Sequence, residues 1–328
     1  MLYLSEKDVC GLLHQGDELL YKDGLDRFAM DQVIGLLEQG FRDWADGSAA
    51  NEPRQRVRAP KLADRGGTLL HLMGAADSRS GYIGCKAYTT SRSGGNFFFV
   101  LLFAADSGKP LATIEADYLG QVRTGAASAV ATKYMARKDA YSLAIIGAGG
   151  QAWTQALALD RVCQLADVRV YSRDLQRRQD FGNRLSVALH TSVTICSDAR
   201  QAVAGADIVV TATTSSDPVF FGEWIEPGMH INAIGGNAAS RRELDQAAMR
   251  RVDRIVADSV EQSRIESGEL LSVDRWAEVI ELSQVVAGKA PGRATPEEVT
   301  LFKSNGIALE DIAIGGWLYE QARKVSQD

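Results

Sequence analysis

The sequence predicts an α/β protein in which a Rossmann-type, doubly wound parallel sheet is joined to a discontinuous α+β domain. Three observations carry the prediction. Strands and helices alternate through the second half of the chain. An apolar strand there runs straight into the glycine-rich turn Gly147-Ala-Gly-Gly-Gln-Ala152, and the first third holds consecutive strands with no helices between them. A chain of 328 residues with 45% hydrophobic content can bury large cores, and its length suits two domains better than one.

In order along the chain, Leu2-Tyr-Leu4 reads as a short strand. Met30, Val33, Leu36, Leu37, Phe41 and Trp44 recur at helical spacing, and Asp46-Gly-Ser48 ends that helix. Strands are then expected at residues 68–73, 81–90, 96–104 and 111–116, separated by turns such as Ser93-Gly-Gly95 and Asp106-Ser-Gly-Lys-Pro110, which makes this a mostly antiparallel domain. A helix rich in small residues, about 118–136, leads into the alternating region. Its strands are expected at 142–146, 167–171, 191–195, 207–212, 230–234 and 254–257, with helices covering both faces of a parallel sheet. A last helix, about 307–325, follows Ser304-Asn-Gly306 and returns to the first domain. The expected division is therefore 1–122 with 306–328, and 123–305.

The formal charge of -6 is spread over 42 acidic and 36 basic residues without a basic block, so nucleic acid and anionic membranes are poor partner classes and a small soluble ligand is the better one. Cys10, Cys85, Cys163 and Cys196 lack both CxxC spacing and the density of a disulfide scaffold, as expected of thiols in a reducing compartment. The start, MLYLSEKDVC, is charged where a signal peptide is apolar, and no run is long enough to span a bilayer, so a cytoplasmic location is expected. His14, His190 and His230 have no metal-ligand spacing and read as structural, and no metal is expected.

The turn after Leu143-Ala-Ile-Ile146 has the order strand, GxGxxA, helix. Gly147 permits the tight turn, Gly149 lets the backbone approach a pyrophosphate, and Ala152 allows close packing of helix on strand. With Ala148, Gly150 and Gln151 they put unpaired amides and the positive end of a helix dipole against the phosphates. The end of the next strand, Val168-Arg-Val-Tyr-Ser-Arg-Asp174, has Ser172 where a carboxylate would take the ribose 2′-hydroxyl. Arg173, Arg177 and Arg178 follow, so a 2′-phosphate is matched and NADP(H) is favoured over NAD(H); the alternative is that Asp174 takes the ribose. Thr211 and Thr213 end a later strand at its carboxyl edge and are expected to flank the nicotinamide.

Gly84-Cys-Lys86, Gln121-Val-Arg-Thr-Gly-Ala-Ala127, the cofactor turn, Glu226-Pro-Gly-Met-His-Ile-Asn-Ala-Ile-Gly235, Arg242-Glu-Leu-Asp245 and Gly306-Ile-Ala-Leu-Glu-Asp311 follow one another in the chain. Together they resemble the ornithine cyclodeaminase and mu-crystallin family over nearly its whole length. The resemblance implies a dinucleotide-binding Rossmann domain, a discontinuous substrate and dimerisation domain, a homodimer, and an active site in the cleft between the lobes. It also implies a small amino, imino or keto acid as substrate, its carboxylate held by a cluster of cations. Lys86 and Arg123 match two of these, and the third falls among Arg54, Arg56 and Arg58, with Arg56 favoured. Thr124 joins the cofactor set, and Asp311 matches a family residue at the cleft, although an acid early in a helix is also explained by the macrodipole. Independently of the resemblance, strand alternation puts Tyr82, Gly84, Lys86 and Tyr88 on one face, so Lys86 can project from a wall.

Two departures from the cyclodeaminase pattern bear on the reaction. Asn237 stands in the loop where cyclodeaminases carry an aspartate, and a carboxamide can orient a substrate but cannot act as a base. His71 stands where they carry a glutamate, and an imidazole can donate a proton or bind a second carboxylate. The expected activity is an NAD(P)H-dependent reduction of an α-imino acid, of the ketimine reductase or amino-acid dehydrogenase type. The alternatives are a cyclodeaminase-type ammonia-lyase and a non-catalytic, mu-crystallin-like NADPH-binding protein.

Overall fold

Two kinds of sheet divide the chain. Residues 1–123 with 307–328 form one unit around a mostly antiparallel sheet, and residues 124–306 form a second around a parallel one. The computed structural model describes residues 1–14, 27–58, 67–91 and 95–325. The expected turn at Ser93-Gly-Gly95 lies, but for Gly95, outside the described residues.

The first unit contains β1 (Leu2–Leu4), α1 (Glu6–Leu13), α2 (Arg27–Asp46), β2 (Ala49–Asn51), β3 (Gln55–Arg58), β4 (Leu69–Asp77), β5 (Tyr82–Ser91), β6 (Gly95–Ala104), β7 (Pro110–Glu115) and the start of α3 (Asp117–Met135). The second contains β8 (Ser142–Ile146), α4 (Gly150–Val162), β9 (Asp167–Tyr171), α5 (Leu175–Leu189), β10 (Val193–Ile195), α6 (Ala199–Val203), β11 (Ile208–Thr211) and β12 (His230–Ala233). It continues through α7 (Gln246–Arg251), β13 (Arg254–Ala257), α8 (Val260–Glu266), β14 (Val279–Glu281), α9 (Leu282–Val286) and β15 (Thr300–Lys303), before α10 (Ala308–Val325) rejoins the first unit.

In the first unit the strand order is β1-β7-β6-β5-β4-β2, with β3 also on β4. β2 pairs with one end of β4 and β3 with the other, and the break between them holds Pro53, which has no N–H to give to a ladder. Strand alternation buries His71, Met73, Lys86, Tyr88, Val100, Leu102 and Ile114 on one face. α10 packs on the strands there, and Gly316 lets it approach, since a Cβ at that position would run into the Tyr82 ring. On the other face Val57, Leu70, Leu72, Ile83 and Phe97 remain between 36% and 61% exposed. α1, which the periodicity does not announce, is held by a capping box between Ser5 and Asp8.

The second unit has the order β10-β9-β8-β11-β12-β15-β13-β14, all pairs parallel. The chain winds outward from β8 through β9 to β10, then crosses to β11 on the other side, so the order reverses between β8 and β11. Ligands of open α/β sheets bind beyond the strand ends at such a point. β14 and β15 are additions to the strands expected from sequence. β15 is fully buried between β12 and β13, but four residues are too few to show a period. Among the described residues no helix is long and apolar enough to cross a membrane.

Candidate active site

Within the first unit, the buried sheet face gathers two cations of the expected cluster with two carboxylates. Lys86 on β5 is 3% exposed, and its Nζ donates to Asp311 Oδ1 at 2.7 Å. Arg123, at the unit's end of α3, donates from Nη1 to Glu310 Oε2 at 2.8 Å, while its Nε lies 3.6 Å from the same Asp311 Oδ1. The first turn of α10 thus places adjacent carboxylates on two cations, and Asp311 Oδ2 is buried without a partner. Gly120 on α3 leaves room for the ammonium, because a Cβ there would come to 3.0 Å from Lys86 Nζ. Burial pushes the Lys86 ammonium below the usual lysine range; Asp311 opposes the shift, and Arg123 and Arg54 add to it. A lysine lowered in this way is a better proton donor near neutral pH.

A cross-strand aromatic row adjoins the pair. His71, Tyr88 and Phe98 face one another in register, with ring centroids 4.3 Å apart for His71 and Tyr88 and 5.0 Å for Tyr88 and Phe98. Lys86 Nζ stands 5.5 Å from the Phe98 ring, and the Arg54 guanidinium 5.9 Å from that of Tyr88. Arg54, rather than the favoured Arg56, is the arginine brought into this buried group: it is 5% exposed and donates from Nε to Met73 Sδ at 3.3 Å. Arg56 pairs in register with His71 but is exposed, as is Arg58. Positions 54, 56 and 58 share one parity, so alternation cannot separate them; depth in the sheet does.

His71 Nε2 lies 3.0 Å from Thr90 Oγ1, and burial, followed by the charges of Arg54 and Arg56, lowers its imidazole to about 4. It is therefore neutral at pH 7. In that form the ring has one N–H donor and one acceptor, and hydrogen bonding is what it can offer.

In the second unit the turn after β8 fits a dinucleotide. Gly147 has φ 135°, and a Cβ there would run into the Ala212 carbonyl. Gly149 caps α4 without a side-chain acceptor, and a Cβ built on it meets nothing within 4 Å, so the backbone there is open to a phosphate. Ala148 continues the turn, and Gly150, Gln151 and Ala152 open α4, where Gln151 Oε1 is buried without a partner and Ala152 is fully buried. Thr124 is buried on α3, its carbonyl accepting from Gln155 Nε2 at 3.1 Å.

At the end of β9, the Ser172 hydroxyl donates to Asp174 O at 3.3 Å and the Asp174 carboxylate accepts from Arg177 N at 2.9 Å as the cap of α5. Arg173 and Arg177 are exposed beside it, whereas Arg178 lies over the Tyr171 ring and donates to Ser172 O. Asn237 is exposed in the loop after β12. Thr211 and Thr213 are at the carboxyl edge as expected, but both hydroxyls donate to Glu243, at 2.8 Å and 2.7 Å. Glu310, Arg54 and Glu243 are the residues the sequence reading does not single out. Glu310 and Glu243 stand inside the stretches 306–311 and 242–245 that carry the family resemblance, but next to other charged residues, so nothing local marks them as buried.

The family model for the ornithine cyclodeaminase/mu-crystallin family matches residues 22–326. The chain is 38% identical over 229 residues to a Delta(1)-pyrroline-2-carboxylate reductase of Bacillus cereus, covering 68% of this chain and 70% of that protein. Among solved structures, the Delta(1)-pyrroline-2-carboxylate reductase of Thermococcus litoralis in complex with NADH and L-proline superposes with a TM-score of 0.89 at 31% identity, covering 99% of this chain and 98% of that one. An archaeal alanine dehydrogenase dimer with bound NAD superposes with a TM-score of 0.86 at 29% identity, covering 99% and 97%.

Proposed function

Because the chain belongs to the ornithine cyclodeaminase/mu-crystallin family, we propose that it is a nicotinamide-dependent reductase of an α-imino acid, an oxidoreductase acting on CH–NH or CH–NH2 groups. The observation that carries this reading is the buried pair Lys86 and Arg123 sharing Asp311 Oδ1. A flat guanidinium and an ammonium together suit the carboxylate of an imino acid, and the Lys86 ammonium, lowered by burial, holds a proton ready for the imine nitrogen. Asp311 keeps Lys86 oriented, Glu310 does the same for Arg123, and Arg54 adds positive charge next to Tyr88. His71 serves as a neutral hydrogen-bonding group, and Arg56 contacts the outer part of the substrate. When bound, the reduced nicotinamide supplies the hydride that reduces the C=N bond.

Gly147 to Ala152 hold the pyrophosphate and Thr124 joins them. The preferred cofactor in this reading is NADP(H): Asp174 is engaged in capping α5, while Ser172, Arg173 and Arg177 are at hand for a 2′-phosphate. The protein acts as a cytoplasmic homodimer, a reading supported by the exposed apolar face of the first unit's sheet, and light scattering tests the doubled mass.

The deciding assay follows oxidation of NADPH and NADH with Δ1-pyrroline-2-carboxylate and with keto acids plus ammonia or methylamine. Turnover with at least one imine, faster with NADPH, is expected. Ammonia release from ornithine without net cofactor oxidation points instead to a cyclodeaminase, and no turnover with any substrate points to a binding protein.

A further inference from the structure

Behind the carboxyl edge of the parallel sheet lies a group of buried charges that the proposed reaction leaves unused. Glu243, fully buried, accepts four hydrogen bonds. Its Oε1 takes Thr213 N at 2.6 Å and Thr213 Oγ1 at 2.7 Å; its Oε2 takes Thr211 Oγ1 at 2.8 Å and Gly235 N at 2.7 Å. These donors belong to the ends of β11 and β12, neighbouring strands just past the reversal of strand order, where a nicotinamide ring is expected. Gly235 is required there, because a Cβ would run into both the Thr213 carbonyl and the Glu243 carboxylate.

Glu269, also fully buried, accepts from Glu243 N at 2.7 Å and lies 3.3 Å from Lys303 Nζ, which donates to Gly236 O at 2.5 Å. Burial pushes the Glu243 carboxyl up, and Lys303, Thr213 and Thr211 pull it back. Four donors on two oxygens are satisfied together by the ionised form. The trio then holds two carboxylates and one ammonium, an excess of one negative charge. Burying such an excess is expensive, and neutral packing would hold the same loops at lower cost. What distinguishes the charge from neutral packing is its effect on a cation, and at this edge the oxidised nicotinamide ring is cationic while the reduced ring is neutral.

We propose that Glu243, backed by Glu269 and Lys303, is a positioning residue that fixes the two segments flanking the nicotinamide and biases the site electrostatically toward the oxidised, cationic ring. The inference rests on the reading that the second unit binds a nicotinamide dinucleotide. A preorganised negative charge of this kind favours the direction in which the ring gains positive charge.

Calorimetric dissociation constants for NADP+ and NADPH, with NAD+ and NADH in parallel, test it without turnover. Glu243→Gln is expected to shift the ratio of affinities toward the reduced form by about fivefold or more, the size of one partly screened charge interaction. Glu269→Gln, which leaves Thr211, Thr213 and Gly235 untouched, shifts it the same way. Thr211→Val removes a hydrogen bond but no charge and leaves the ratio within about twofold. An unmoved ratio in a folded carboxylate variant, or an equal shift in Thr211→Val, overturns the inference. Where neither carboxylate variant folds, the wild-type protein decides: comparable or tighter binding of the oxidised form supports the bias, and a preference for the reduced form beyond about tenfold overturns it. Failure to bind any of the four dinucleotides is a different result, removing the cofactor reading and the inference with it.

Discussion

At the scale of single residues, the central feature is one carboxylate oxygen between two buried cations. Removing Lys86 leaves Asp311, among the described residues, with Arg123 Nε at 3.6 Å as its remaining ion-pair partner, an expensive arrangement in a site where Asp311 is fully buried. Lys86→Met is therefore expected to lower stability by about 3 kcal/mol and kcat/KM for imine reduction by on the order of 100-fold. Adding Asp311→Asn should restore much of the stability and none of the activity; thermal unfolding and steady-state kinetics on both variants separate the two effects. The arginines give a second comparison. Arg54→Ala is expected to reduce kcat/KM about tenfold more than Arg56→Ala, because charge-assisted contacts strengthen away from water and Arg54 is the buried one. Equal losses would show that depth in the sheet does not rank the two arginines. Lys86 and Arg123 are legible in the sequence because each sits in a recognisable motif. Arg54 is not, since nothing local distinguishes it from the residues two and four places on.

At the scale of elements, the cofactor turn illustrates a local signal with a tertiary reason. Gly147 is readable as the first glycine of a strand-turn-helix pattern, but what forbids a side chain is the Ala212 carbonyl at the end of β11. Gly147→Ala combines that clash with an unfavourable φ. It is expected to abolish dinucleotide binding by calorimetry while destabilising the protein by about 1–3 kcal/mol in urea unfolding. Retained binding would mean that β8 and β11 can separate without disturbing the turn. Long strands with clean alternation, β4 to β7, announce themselves in sequence, and so does the alternating β8 to β12 region. β14 and β15 do not, because three and four residues are too few to show a period, and their place in the sheet is set by neighbours distant in the chain.

At the scale of the whole molecule, buried ionisable groups shape the response to pH. His230 is fully buried between Thr132 and Thr300, and burial, with Arg293 nearby, lowers its imidazole to about 3 from 6.5. A histidine depressed in the folded state stabilises it fully above the unfolded value, and that contribution is lost as pH falls from about 6.5 toward about 3, by up to about 1.4 kcal/mol per unit. Melting temperatures measured down this range should fall less steeply for His230→Gln than for the parent protein; parallel curves would assign the acid sensitivity to other groups.

What the sequence by itself determined is the class of fold, the cofactor turn, the family resemblance and the cations of two motifs. Those signals are periodic or contiguous, and so survive being read along a line. Only the tertiary structure decided that Asp311 joins Lys86 from 225 positions away, that Arg54 takes the buried place, and that Glu243 gathers the ends of two strands. Depth below the surface and distance between remote side chains set the strength of each charge, and neither quantity exists until the chain has folded.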